Sequence, residues 1–256
     1  MSSTGKAIDE LIEIMDRLLG PEGCPWDKEQ THETLIRYLI EECYEVIEAI
    51  NNQDMHKLRE ELGDLLLQVV FHANLAQREG YFDFSDVAAG VSQKMINRHP
   101  HVFGDAGRLK TGDEVMEVWE GYKREEGKKR LLEGIPPFLP ALMRAEKIQE
   151  KAAQVGFDWP SVDGAVDKFR EEVDEFCQTV DKEGEIEEFG DILFALVNIA
   201  RFKSIEPEQA LQKTNDKFTR RFNYIEDRLS QKGQKFNDLR LEEMDAIWEE
   251  AKSKGL

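Results

Sequence analysis

Glu171-Glu172-Val173-Asp174-Glu175, followed after a short polar stretch by Glu187-Glu188-Phe189-Gly190-Asp191, decides how this chain is read. A near copy stands in the first half, as Glu41-Glu42-Cys43-Tyr44-Glu45 and Glu60-Glu61-Leu62-Gly63-Asp64. Acids three residues apart lie on one helical face, stacked a turn apart. Two such helices packed antiparallel would turn four carboxylates toward one another, and like charges that close repel unless a cation sits between them. A hard divalent ion with oxygen ligands, above all Mg²⁺, meets that demand. The acids also fall within apolar stripes: Phe169, Glu172 and Phe176 in the second half, and Leu35, Leu39, Glu42 and Val46 in the first. A single helical Glu is most often part of a solvated face. Acids recurring together on the core side are instead paired, metal-bound or functional.

Working outward, 3.6-residue periodicity dominates and no alternating strand pattern appears, so the fold class is all-α. The pattern predicts helices over 6–19, 31–51, 54–80, 85–98 and 113–126, with Asp54 and Ser85 as N-caps and a breaker-rich loop at Gly23-Cys24-Pro25-Trp26-Asp27. A charged run and the stretch Gly134-Ile135-Pro136-Pro137-Phe138-Leu139-Pro140 follow. They place a linker at 127–138 between domains at 1–126 and 139–256. The plan then repeats, with helices over 139–154, 162–180, 185–203, 207–230 and 242–252, and Gly156-Phe157-Asp158-Trp159 echoing the earlier loop. The offsets are regular: 130 for Glu42 to Glu172 and Glu45 to Glu175, 127 for Glu61 to Glu188 and Asp64 to Asp191, and 123 for Lys94 to Lys217 and Arg98 to Arg221. Such spacing points to a duplicated domain.

Composition narrows the function classes. At 256 residues and 40% hydrophobic content the chain can build real cores, and no apolar run is long enough to span a bilayer. No signal peptide is visible, since 6–19 reads as an amphipathic helix. The three cysteines, Cys24, Cys43 and Cys177, lack CxxC spacing, which argues against a disulfide framework or zinc site and for the reducing cytoplasm. A net charge of −19 argues against nucleic acid and anionic membranes as partners. It leaves room for a small polyanion neutralised by metal and local cations.

Such cations are present. Lys217-Phe218-Thr219-Arg220-Arg221, and Lys94 with Arg98 in the first half, put basic groups four apart on one face, able to clamp phosphate oxygens. Lys168 lies one turn before Glu172 and adds a further candidate. Trp159 and Trp248 are able to stack on a base, although such residues more often pack helices together. His99-Pro100-His101 lacks partner ligands and reads as structural. Neither a Walker A motif nor a dinucleotide fingerprint nor a nucleophile elbow is present.

Taken together, the Gly-Cys-Pro-Trp-Asp loop, the doubled Glu-Glu-x-x-Glu and Glu-x-x-Asp phrases, Gly156-Phe157-Asp158-Trp159 and Lys217-Phe218-Thr219-Arg220-Arg221 resemble the two-domain form of the MazG family of nucleoside triphosphate pyrophosphohydrolases. The resemblance runs over nearly the whole chain. It implies two all-α bundles in tandem, a homodimer, Mg²⁺, and cleavage of ribo- and deoxyribonucleoside triphosphates, broad in base, to monophosphate and pyrophosphate. Carried over residue by residue, it implies Glu172, Glu175, Glu188 and Asp191 as metal ligands, with Glu42, Glu45, Glu61 and Asp64 as a secondary set. Glu171 and Glu172 would be catalytic, Glu171 orienting water or acting as general base. Lys168, Glu171, Glu187, Lys217, Arg220, Arg221 and Trp248 would contact substrate. The second copy is expected to be the working one, because its cation set is richer. Rival readings are a hydrolase narrow for modified nucleotides and a helical interaction protein that binds nucleotide without turnover.

Overall fold

The computed structural model describes residues 2–104, 111 and 130–256, and among them every regular element is helical. The chain divides into two compact units, Met1–Arg124 and Glu125–Leu256, described separately below. The expected helix over 113–126, with Trp119, lies outside the described residues, as do 127–129 of the expected linker.

The first unit contains α1 (Ser3–Leu18), a single turn α2 (Pro25–Lys28), α3 (His32–Asn51), α4 (Met55–Arg78), α5 (Phe84–Arg98) and a short α6 (Pro100–Phe103). Local chemistry sets these limits. Thr31 accepts from the Thr34 amide to start α3, and Asp54 accepts from the His56 and Lys57 amides to start α4. Each satisfies amides that the first helical turn leaves open. Gly80, at φ 78°, follows the end of α4 in the left-handed region that a Cβ disfavours. Two sequence expectations are corrected here. Asp83, in a reciprocal capping box with Asp86, starts α5 two residues before Ser85. The Pro25-Trp26-Asp27 segment is a helical turn rather than open loop, because Pro25 sits at the first helical position, where its missing N–H costs nothing. The core is built by Met15, Leu19, Leu35, Val70 and Phe71, from α1 and its C-cap, α3 and α4.

The second unit repeats the scheme. It contains α7 (Ala141–Ala153), α8 (Val162–Gln178), α9 (Lys182–Phe202), α10 (Pro207–Lys232), a 3₁₀ turn at Phe236–Asp238 and α11 (Leu241–Ser253). Asp181 caps α9 and accepts from the Gly184 amide, so this helix begins three residues before the expected Glu185. The helical hairpin α8–α9 is the most extensive contact of the unit, as α3–α4 is of the first, and α7 lies on α9 as α1 lies on α4. The hairpin position of the acids is therefore the same in both copies. Residues 130–140 are turns and extended chain, and Lys151 Nζ donates to the Leu131 carbonyl at 3.0 Å, tying this stretch to α7. Among the described residues no helix is long and apolar enough to cross a membrane.

Candidate metal and phosphate site

In each unit the α-hairpin closes a carboxylate cluster. In the second unit oxygens of Glu172, Glu188 and Asp191 all lie within 4.8 Å of one another. Glu172 is only 6% exposed, as its place in the Phe169–Phe176 stripe requires. Burial raises the Glu188 carboxyl above its ordinary range, and the charges of Glu175, Glu172, Asp191 and Glu187 push it further. Glu175 and Glu187 thus lie close enough to act electrostatically, although Glu175 is not one of the three clustered acids. The first unit gathers Glu42, Glu45 and Glu61, with Asp64 acting on Glu42 from nearby. There the buried acid is Glu61, at 7% exposure, and Glu42 is half-buried. Burial also raises Glu42 and Glu61, the latter with a further push from a hydrogen bond to Glu45. All-oxygen donor sets of clustered acids, with Glu188, Glu42 and Glu61 raised among them, fit a hard divalent cation such as Mg²⁺.

Lys168 bridges the second cluster. Its Nζ lies 2.7 Å from Glu172 Oε1 and 2.8 Å from Glu171 Oε1, and these two hydrogen bonds hold the ammonium well above the usual lysine range. A first-unit lysine, Lys57, lies 3.2 Å from Glu48 and 3.8 Å from Glu61, in a different position along the hairpin.

The cationic turn Lys217–Arg221 sits on α10, which packs on α11 and α7. Arg221 Nε donates to the Leu256 carbonyl at 2.7 Å, and its guanidinium lies 5.5 Å from the Trp248 ring centre. Trp248 in turn packs on Phe218, with ring centres 5.0 Å apart. Trp248 therefore serves the α10–α11 contact, joined by a Tyr224–Glu250 hydrogen bond of 2.7 Å.

A cavity of about 780 Å³ opens beside the second cluster. Its lining includes Lys168, Glu172 and Asp191 together with Gln149, Trp159 and Asn198. None of Lys217, Arg220, Arg221 and Trp248 lines it. Two cavities described in the first unit, one of about 870 Å³ beside Gly20–Cys24 and one of about 90 Å³ beside Asn74 and Phe84, include none of that unit's four acids. Side-chain size differs between the two hairpins at this place. At the 127-residue offset, Gln68 and Phe71 in the first unit stand where the second has Ala195 and Asn198. Phe71 fills the first core.

Sequence reasoning did not find Gln149, Asn198, or the Asp158–Arg201 pair that closes at 2.5 Å. It also missed the contact of His32 Nδ1 with His72 Nδ1 at 2.7 Å in the first unit. Each is a tertiary pairing between residues at least 40 positions apart, or a lone amide in an ordinary helix, and no local motif announces either.

Comparison with known proteins agrees with this doubled architecture. The model of the MazG nucleotide pyrophosphohydrolase domain matches residues 30–103 and again 163–225. The nucleoside triphosphate pyrophosphohydrolase/pyrophosphatase MazG of Thermotoga maritima is 46% identical over 255 residues, covering 98% of both chains. The nucleoside triphosphate pyrophosphohydrolase of Escherichia coli K12 is 48% identical over 255 residues, covering 96% of this chain and 97% of that one. A solved structure of a mazG-related protein from Thermotoga maritima is 32% identical, covering 45% of this chain and 98% of that one, with a TM-score of 0.39. Matched once on each acidic hairpin, and along nearly its full length by the two named relatives, the chain belongs to the MazG nucleotide pyrophosphohydrolase family.

Proposed function

We propose that this protein hydrolyses ribo- and deoxyribonucleoside triphosphates to monophosphates and pyrophosphate, with the second unit as the working copy. The observation that carries the reading is the second hairpin's acid cluster opening, with Lys168, into a cavity large enough for a nucleoside. Its near-full-length relatives are named for the same reaction. Glu172, Glu175, Glu188 and Asp191 would hold Mg²⁺, with Glu42, Glu45, Glu61 and Asp64 as a weaker set. When bound, the ion would neutralise phosphate oxygens and make water a better nucleophile. Glu171 would take a proton from the attacking water once Lys168 turned from it to the phosphate chain. Lys217, Arg220 and Arg221 would offset charge building on the departing pyrophosphate. Glu187 and Trp248 complete the proposed substrate contacts, with Trp248 carried by α11 as it closes.

We further infer a homodimer of cytoplasmic protein with no nucleic-acid partner. Exposed apolar residues Ile186, Phe189, Leu193 and Leu196 along α9, and Ile36, Ile40, Tyr44 and Ile47 along α3, support a covered face. The unpaired cysteines fit a reducing compartment, and the charge of −19 fits the absence of nucleic acid. Domains at 1–126 and 139–256, joined by 127–138, remain our partition.

Product analysis tests the reaction. A mixture of triphosphates with Mg²⁺ should yield monophosphate and pyrophosphate, a chelator should stop it, and Glu172→Gln should abolish it while Glu42→Gln does not. Loss in Glu42→Gln alone would move the reaction to the first unit. Binding without product would replace it with a non-catalytic nucleotide sensor.

A further inference from the structure

We infer that the part of the second unit's cavity lined by Gln149, Trp159 and Asn198 is a nucleobase site, in which Gln149 selects bases bearing an amino group beside an unprotonated ring nitrogen, the edge shared by adenine and cytosine. The inference rests on the proposed nucleotide reading for its occupant, but its geometry stands on other residues. Gln149 is 6% exposed, and its Nε2 donates to the Phe194 carbonyl at 2.8 Å. That contact fixes the amide orientation, because a carbonyl can only accept. Gln149 Oε1 is left buried with no partner. A buried acceptor without a donor is costly and rare in a folded protein, and here it belongs to a residue that lines the cavity. The oxygen has essentially no accessible surface, so an entering N–H donor satisfies it as the Gln149 side chain shifts toward the cavity.

Asn198 lines the cavity one turn beyond Phe194. Arg201 donates to its Oδ1 from Nε at 3.2 Å and from a terminal nitrogen at 2.8 Å, and the same guanidinium is anchored on Asp158. With its oxygen held by Arg201, the Asn198 amide turns its NH₂ group the other way, as a donor. An acceptor from α7, tied to the Phe194 carbonyl, and a donor one turn further along α9 match an amino group beside a ring nitrogen. Uracil and hypoxanthine carry a carbonyl where the amino group would sit, and that oxygen would face Gln149 Oε1. Asn198 lies about 10 Å along α9 from Asp191 at 1.5 Å per residue. The base and its ribose together bridge that span, leaving the phosphates beside Lys168 and the acids.

Trp159 supplies the stacking wall. A Cβ at position 164 would come within 2.8 Å of the Trp159 ring, so Gly164 lets the indole lie against the first turns of α8. Trp159 remains 45% exposed and lines the cavity, leaving ring surface for a base. The first unit has no such arrangement at these positions, because Phe71 occupies the place of Asn198. The selection ranks bases within a broad tolerance and does not replace it.

The test uses the full chain without metal, titrated with adenosine, cytidine, uridine, inosine and purine riboside to their solubility limits, with calorimetry and tryptophan fluorescence as readouts. Adenosine and cytidine should bind at least about tenfold tighter than the other three. Gln149→Met should remove that preference, and Trp159→Phe should remove the fluorescence change. The comparison of adenosine with purine riboside needs no variant, so it holds if Gln149→Met folds poorly. Equal binding of all five, a preference that survives in Gln149→Met, or no nucleoside binding overturns the inference even if triphosphates are cleaved. A ranked preference in a protein that cleaves no triphosphate keeps the base site and overturns the proposed reaction instead.

Discussion

Replacing Glu172 by Gln separates metal binding from folding. Glu172 is 6% exposed and shares its oxygens' neighbourhood with Glu188 and Asp191 within 4.8 Å, while Lys168 contacts it at 2.7 Å. Without metal the two consequences oppose each other. The Lys168 contact is lost, but Lys168 is partly exposed and keeps Glu171, so that loss is about 1 kcal/mol or less. Repulsion from Glu188 and Asp191 is relieved at the same time, and the metal-free melting temperature should stay within about 3 °C of the parent. With metal the consequences add. Removing one partner of a buried charge pair costs about 3–5 kcal/mol, so Mg²⁺ affinity should fall at least about 100-fold. At a Mg²⁺ concentration 100 times the parent dissociation constant, binding stabilises the parent unit by about 2.7 kcal/mol and the variant by about 0.4 kcal/mol. At about 4 °C per kcal/mol for a unit of this size, that is a rise of about 11 °C against less than about 2 °C. Calorimetry of the full chain across a Mg²⁺ series measures both. A variant whose transition climbs with Mg²⁺ like the parent's would remove Glu172 from the metal site and refute the reasoning.

The raised carboxyls of Glu188, Glu42 and Glu61 give a pH dependence of definite sign. A carboxyl raised by folding binds its proton more tightly when folded, so its stabilising contribution is present below its unfolded value and lost as pH rises through the folded one. Metal-free protein should therefore gain stability from these groups as pH falls from neutral into the range just above ordinary carboxylates. Mg²⁺ should reverse that slope, and parallel melting series with and without the ion would show it. Gly23→Ala should destabilise the first unit by more than about 3 kcal/mol, since the new Cβ would meet the Leu18 carbonyl oxygen at 2.0 Å and neither backbone can yield; chemical denaturation reads this directly. Gly164→Ala should cost less, about 1 kcal/mol, because the half-exposed Trp159 ring can move aside, and its fluorescence should shift to the red. Arg201→Met should cost about 1–3 kcal/mol by leaving the Asp158 carboxylate, whose side chain is 23% exposed, without its guanidinium, an amount that urea unfolding resolves; unchanged stability would mean the pair is solvent-screened.

The parts legible in sequence were those carried by period and punctuation. The stripe through Leu35, Leu39, Glu42 and Val46 does turn inward, Asp54 does cap α4, and Pro207 does open α10. These are local effects, each settled within a few residues. Burial within the acid set was less legible, because the pattern names a face and tertiary packing decides how deep each member sits. Glu61 sinks deeper than Glu42 in one copy, and Glu172 sinks deepest in the other. The second apolar stripe of α3, at Ile36, Ile40, Tyr44 and Ile47, was hidden because a helix apolar on two sides blurs its own periodicity. The cavity was the least legible feature. It depends on what Ala195 and Asn198 fail to fill, and an absence of volume leaves no signature in a chain read one residue at a time.

The shared offset of Gln68 and Phe71 with Ala195 and Asn198 has a wider consequence. At this place one hairpin commits Phe71 to its core and the other lines a cavity with Asn198, while both retain the same four acids. Tandem copies let these demands be met by different segments of one polypeptide. Selection can then retune the cavity-lining position toward new ligands in one copy, while a change at Phe71 in the other is felt as lost packing.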